Sequence, residues 1–422
     1  MRRSSQQPAT VTAAPTNTVT LRRKITVVTP VHGGGVGGER ADDDVQVNKL
    51  DPVTPVRTAA IRGQLRFWWR AIHGCRLRSY DEMREREASL WGSAATSDTA
   101  GPERATVVAI RLLGKAKVQA EAARELSRGR AYGAFSVAPS GRLVTDGLSR
   151  VKGDITVVLT CAEESKREVD DALTAWTLFG GIGGRTRRGF GAIWPEGSPD
   201  PEEFLRNLPQ DVCTLPLVPS LLGASWAVAS DAVNSADEAL DLALDRLRLF
   251  RQGEVGRNYN GRNPGRSHWP EPDAIRRLTT RNAPRHQPRE GPDLFPRAAF
   301  GMPIVFQFKN DDVRQGDPPR STLRPQRSER MASPLILRPV FQAGRWRPAA
   351  LRLRVPGIEN ENVILDVQGR HEPLRVIARV DARDLDRILP LHGLHGDGVL
   401  ERFMDFFSRG PQQRNAPGRN HR

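Results

Sequence analysis

Cysteine is scarce: Cys75, Cys161 and Cys213 are the three in 422 residues. They stand alone and share no ligand spacing, so the sequence offers neither a disulfide framework nor a zinc site, and it fits a reducing compartment. Lysine is nearly as rare, with only Lys24, Lys49, Lys115, Lys117, Lys152, Lys166 and Lys309. No apolar run approaches the ~18 residues of a membrane span, and the opening MRRSSQQPATVTAAPTNT lacks the apolar core of a secretory signal. Those absences predict a cytoplasmic protein that does not engage a membrane. Arginine supplies the charge instead: Lys and Arg together number 64 against 49 Asp and Glu, a formal net charge of +15. Such a surplus points to a polyanionic partner, nucleic acid before membrane. Guanidinium groups bind phosphate bidentately and stack on bases, which suits RNA.

The run WTLFGGIGGRTRRGFGAIW, residues 176 to 194, concentrates glycine and arginine. A nucleotide-binding loop runs strand, glycine turn, helix, so that a helix N-terminus faces the phosphate. Here the order is reversed. Val169, Ala172, Leu173, Trp176 and Phe179 fall at helical spacing before the glycines, and FGAIW reads as a short buried strand after them. The frame that begins at Gly181 carries Thr186 where a dinucleotide fingerprint needs glycine, and no Lys-Ser/Thr pair follows. Gly181, Gly183, Gly184 and Gly189 permit close backbone approach around Arg185, Thr186, Arg187 and Arg188, a combination suited to tracking a polyanion. The plainer reading is a glycine turn whose arginines are merely solvated.

Along the chain, residues 1 to 16 and 410 to 422 read as a disordered tail and a basic tail. TVTLRRKITVVTPV is a strand followed by the glycine loop HGGGVGGERADDD. A helix over VRTAAIRGQLRFWWRAIHG has Thr54 as N-cap and Pro55 at its first position, with a stop at Gly74. Residues 81 to 150, where an insertion lies, hold a charged helix ending in ASLWG, the strand ATVVAIRLL and a loop-rich portion, and DITVVLT is the strand that follows. Strand, helix, middle strands, helix and strand give the βαββαβ order of a ferredoxin-like, RRM-like domain over 17 to 200. Pro-rich 201 to 220 reads as a linker, and the pattern starts again over 221 to 409. There ASWAVAS is a strand, a helix carries a capping box from Ser235 to Glu238, PIVFQF and PLILRPV are strands, the latter paired with ALRLRV, and GVLERFMDFF is the last helix. The expectation is an α+β chain of two tandem ferredoxin-like domains with glycine-rich loops.

The first helix shows two stripes: Ile61, Leu65, Trp68 and Ile72 on one side, Arg62, Arg66, Trp69 and His73 on the next. The second joins charge to an indole, as a single-stranded nucleic-acid surface requires; alternatively Trp69 covers the core edge and the arginines pair with nearby acids. GRNYNGRNPGRSHWPEPDAIRRL repeats the mixture, with Arg257, Arg262 and Arg266 for phosphates and Tyr259 and Trp269 for stacking. His32 is a candidate general base for metal-independent RNA cleavage, although its sequence neighbours supply no acid. Asp42, Asp43 and Asp44 could hold Mg²⁺ but fit an exposed acidic turn, and His392 with His395 form a weak metal pair that fits a turn as well. No metal or other cofactor is expected.

Four segments, IRGQLRFWWRA, LFGGIGGRTRRGFGAI, GRSHWPEPDAIRR and RMASPLILRP, resemble the RAMP-superfamily subunit that caps the crRNA 3′ end of the Cmr (type III-B CRISPR) effector complex. The resemblance implies two ferredoxin-like RAMP domains whose helix and glycine-loop faces meet crRNA and target RNA. It also implies other RAMP subunits as partners, RNA contacts at Arg62, Arg66, Arg70, the 180 to 189 loop, Arg266 and His268, and no catalysis by this chain. Two other readings stay open: an endoribonuclease that processes CRISPR precursor RNA, and an assembly protein whose arginines meet acidic subunits.

Overall fold

The computed structural model describes residues 17–33, 54–93, 108–120, 126–134, 148–197, 199–209, 213–259, 264–284, 286–308, 316–355 and 362–410. Residues 1–16 and 411–422 of the tails, Asp42 to Asp44 and Arg262 lie outside them. The described residues fall into two units: one takes those up to 120 with 134–224 and 353–355, the other 126–133, 225–352 and 362–410.

In chain order the first unit contains β1 (Thr18–Val27), β2 (Val31–His32), α1 (Thr58–Ile72), α2 (Tyr80–Trp91), β3 (Ala109–Leu113) and β4 (Lys117–Ala120). Then follow α3 (Arg128–Ala134), nearly all of which belongs to the second unit, β5 (Leu148–Lys152), β6 (Ile155–Ala162), α4 (Lys166–Phe179), β7 (Ile193–Pro195) and α5 (Pro201–Asn207). Strands β3, β6, β1 and β7 lie side by side in that order, every neighbouring pair antiparallel. With α1 and α4 as crossovers, this is the ferredoxin-like βαββαβ arrangement that the element order predicts. The apolar stripe of α1 is core as expected: Ile61, Leu65, Trp68 and Ile72 are buried, and α1 packs on α4 above the sheet. Strands β2, β5 and β4 form a separate small sheet.

Two local expectations need correction, the ends of the first helix and the linker. Helix α1 starts at Thr58 with Arg57, not Thr54, at the N-cap, and ends at Ile72, before Gly74. The charged helix ending in ASLWG forms as expected: it is α2, beside α1, capped by the Ser79 side chain, which accepts the Glu82 N–H. The stretch expected to be a plain linker carries α5, whose Pro-rich start is ordered because Asp200 caps the Glu202 and Glu203 N–H groups and Phe204 packs 6.2 Å from Phe179.

The chain continues with β8 (Ser220–Val228), α6 (Ala236–Arg251), β9 (Arg257–Tyr259), β10 (Pro264–Ser267), α7 (Glu271–Thr279), β11 (Ile304–Phe306) and β12 (Ser321–Pro325). It closes with β13 (Leu335–Gln342), β14 (Arg345–Arg354), β15 (Val363–Val367), β16 (Leu374–Val376), α8 (Ala382–Leu385) and α9 (Val399–Arg409). Strands β13, β14 and β8 are adjacent in that order, with α6 packed on β13. The sequence β8, α6, β13, β14, α9 therefore repeats the motif of the first unit through its second helix. The capping box forms as read, Ser235 Oγ accepting from the Glu238 N–H at 3.2 Å. PIVFQF and PLILRPV enter different sheets: β11 joins β12, β15 and β16 over a core of Phe295, Leu323 and Leu365.

Candidate nucleic-acid interface

The glycine loop is fastened to the chain that leaves β1. The Gly184 N–H donates to the His32 carbonyl at 2.7 Å and the Gly191 N–H to the Pro30 carbonyl at 2.7 Å. Buried Thr29 ties the far side: its hydroxyl donates to the Gly189 carbonyl at 2.7 Å and accepts the Ala192 N–H at 2.8 Å. Glycine is required where these strands of backbone meet. A Cβ on Gly191, at φ +63°, would stand 2.0 Å from the Ile182 carbonyl oxygen. Between the staples, Thr186–Arg188 forms one 3₁₀ turn flanked by left-handed residues, Arg185 at φ 55° and Gly189 at φ 76°. A non-glycine residue held in that region stores strain, a feature that gathers at functional sites.

Burial pushes the Arg185 and Arg187 guanidinium groups below their ordinary range. Arg187 lies over the Phe67 ring of α1, 5.6 Å from its centroid. His32, which the sequence placed beside the first glycine loop, is brought to the second one. Burial, then the charge of Arg185, lowers its pKa, which keeps the imidazole neutral near pH 7. Phe67, Thr29 and the pairing of His32 with the loop escaped the sequence reading, because each depends on contacts between distant segments. On α1, Arg62 has a buried Nε with no hydrogen-bond partner among the described residues, and its pKa is lowered by burial and by Arg66.

The rest of the α1 stripe is committed elsewhere. Arg70 donates to both oxygens of buried Glu87 at 2.8 and 2.6 Å, and Arg66 bonds the same carboxylate. His73 Nε2 sits 3.0 Å from Asp171. Trp69 is 1% exposed and donates its indole N–H to Glu168 at 2.8 Å, so it is no stacking platform. Helices α2 and α4 flank α1 and cover the ring. A cavity of about 830 Å³ opens there, lined by Trp69, His73, Arg76, Glu85, Arg86 and Glu168, and its carboxylates make it a poor seat for phosphate.

In the second unit Trp269 is likewise 1% exposed, its indole N–H given to the Phe250 carbonyl, which removes it as a stacking residue. Arg266 bonds Asp273 at 2.7 Å and the Gln287 carbonyl, and His268 Nδ1 lies 2.9 Å from the Val255 carbonyl. Burial and the neighbouring Arg297 charge lower the Arg257 pKa. The Tyr259 side chain lies outside the described residues. His392 and His395 face different partners, the Asp386 carbonyl and Asp405, and no group of three possible metal ligands occurs among the described residues.

Residues 24–194 match the family model of the RAMP superfamily. This stretch is similar to the RAMP superfamily. The match runs from Lys24 in β1 to Trp194 in β7, so the matched segment takes in the βαββαβ motif from the end of β1 onward together with the glycine loop. Among solved structures, the chain is similar to the apo crystal structure of Cmr1 from Pyrococcus furiosus, at 16% identity and a TM-score of 0.41 over 79% of this chain and 88% of that one. No curated protein matches. No helix among the described residues is long and apolar enough to cross a membrane.

Proposed function

We propose that the chain is a non-catalytic RNA-binding subunit of a Cmr-type (type III-B CRISPR) effector complex, seated near the crRNA 3′ end among other RAMP subunits and touching guide and target RNA. The observation that carries this reading is the glycine loop of the matched segment: three arginines on a backbone fixed from both sides by main-chain and Thr29 bonds. A loop fixed before binding loses little conformational entropy when it meets a polyanion. Anisotropy of a 3′-labelled single-stranded RNA titrated with the protein, with each endpoint run on a denaturing gel, tests it. The expected result is salt-sensitive binding that leaves the RNA intact; no binding contradicts the proposal.

A second reading has one specific support, the neutral His32 beside Arg185. A base next to a guanidinium group could take the proton of a 2′-hydroxyl while the cation faces the phosphate. Shortened RNA on that gel, abolished by His32→Ala, would favour an endoribonuclease.

A further inference from the structure

The sheet of the first unit has one face under α1 and α4 and another that no helix among the described residues covers. Side chains alternate along β1: Arg23 turns to the helix side, where it bonds Asp170 at 2.9 Å and Thr174 at 3.2 Å. Its neighbours Arg22 and Lys24 therefore point the other way, and both are exposed. Register then assembles the open face in rows. Arg22 of β1 stands opposite Val158 of β6, which stands opposite Arg111 of β3. The next row is Thr20, Thr160 and Ala109, and Lys24 pairs with Thr156 and Leu113 on the other side. No position of these rows is acidic. Lys24 is neutralised at the sheet's end by Asp154 and Glu196, whereas Arg22 and Arg111 have no acidic partner among the described residues.

We propose that this open face is a second single-stranded RNA surface, with Arg22 and Arg111 on phosphates and the threonine hydroxyls hydrogen-bonding along the strand. Two exposed guanidinium groups two strands apart, about 10 Å between backbones, are complementary to a polyanion. The same face lacks what a protein partner would need. Interface energy concentrates in a desolvated apolar or aromatic cluster, but Val158 is 1% exposed, which leaves Leu113 at the sheet edge as the exposed large apolar side chain of these rows. Trp194, opposite Thr26 on β7, adds a half-buried indole to this side of the sheet.

The inference rests on the RNA-binding reading above, and one experiment separates the two. RNA anisotropy is measured against salt for the wild type, for Arg22→Ala/Arg111→Ala, for Arg22→Lys/Arg111→Lys, and for the loop variant Arg185→Ala/Arg187→Ala/Arg188→Ala, with thermal melts as folding controls. Losing two phosphate contacts lowers the slope of log affinity against log salt by about 1.4, at ~0.7 each for a single strand; the lysine pair retains most of it. If the loop variant loses slope while the Arg22/Arg111 alanine variant matches wild type, the sheet face is not an RNA surface and the proposed function stands. If wild type binds no RNA, both fail. Unchanged RNA binding together with altered self-association in sedimentation assigns the face to protein contact and overturns the proposal.

Discussion

Two arginine-rich stretches of the first unit share a composition and differ in use. On α1, Arg66 and Arg70 converge on the buried carboxylate of Glu87, and Trp69 is locked by Glu168. In the glycine loop, Arg185, Arg187 and Arg188 ride on a main chain stapled to residues 29 to 32, with Phe67 beneath one of them. The difference comes from the neighbours. Helix α2 lays its one buried acid across α1, so that stripe stabilises the fold; in the loop it is the backbone that is held, by main-chain and Thr29 hydrogen bonds, with Arg187 over the Phe67 ring. Arginine content alone does not distinguish a staple such as the Glu87 cluster from the RNA-binding surface proposed for the loop.

The largest expected effect falls on the staple. Glu87→Ala strands two guanidinium groups and should destabilise the protein by about 3 kcal/mol in urea melts, the low end of the range for removing one partner of a buried pair, because Arg66 and Arg70, 32% and 39% exposed, keep access to water. RNA affinity per folded molecule should stay unchanged; a loss of affinity matched by no loss of stability would break the comparison.

On the loop side, Gly191→Ala imposes a left-handed alanine against the Ile182 carbonyl and should cost about 1–3 kcal/mol of strain, with weakened RNA binding in the same anisotropy assay. Wild-type affinity in a destabilised Gly191→Ala protein would separate loop geometry from binding.

Trp69→Phe keeps most of the buried ring but removes one hydrogen bond to a carboxylate, about 1.5–3 kcal/mol for a charged acceptor. Its RNA affinity should equal wild type. That outcome fits the second of the two readings the sequence left open, Trp69 at the core edge with the arginines paired to nearby acids, and excludes the stacking role. A stripe drawn at 100° per residue sees one helix and its nearest core, but α1 packs against both α4 and α2, and Trp69 is tied to Glu168 of α4. Periodicity did reveal the Ile61, Leu65, Trp68 and Ile72 core, and element order revealed the βαββαβ topology, because both are local signals. Glu87 lies 17 and 21 residues from Arg70 and Arg66, and the union of His32 with Gly184 spans most of the domain. No sequence pattern carries such pairings. The ordered α5 in the Pro-rich stretch was hidden for another reason: proline at a first helical turn looks the same as proline in a linker.

The smallest effect concerns pH. Burial raises the Glu168 pKa, but the hydrogen bonds from Arg86 and Trp69 and the nearby positive charge outweigh it and leave the carboxyl below its ordinary range. A carboxylate lowered in the folded state stabilises above its unfolded pKa, about 4.3 for glutamate, and that contribution disappears as pH falls through the folded value. Stability should therefore decline on acidification below about pH 4.3, and Arg86→Ala should flatten that decline in melts taken across the window.

The most direct test of the central claim sets the two stretches against each other. RNA anisotropy is measured over a salt series for wild type, Arg185→Ala/Arg187→Ala/Arg188→Ala and Arg66→Ala/Arg70→Ala. The account predicts a salt slope reduced by about 2 in the loop variant, ~0.7 for each phosphate released, and a wild-type slope in the helix variant. A wild-type slope in the loop variant with a reduced one in the helix variant would contradict it.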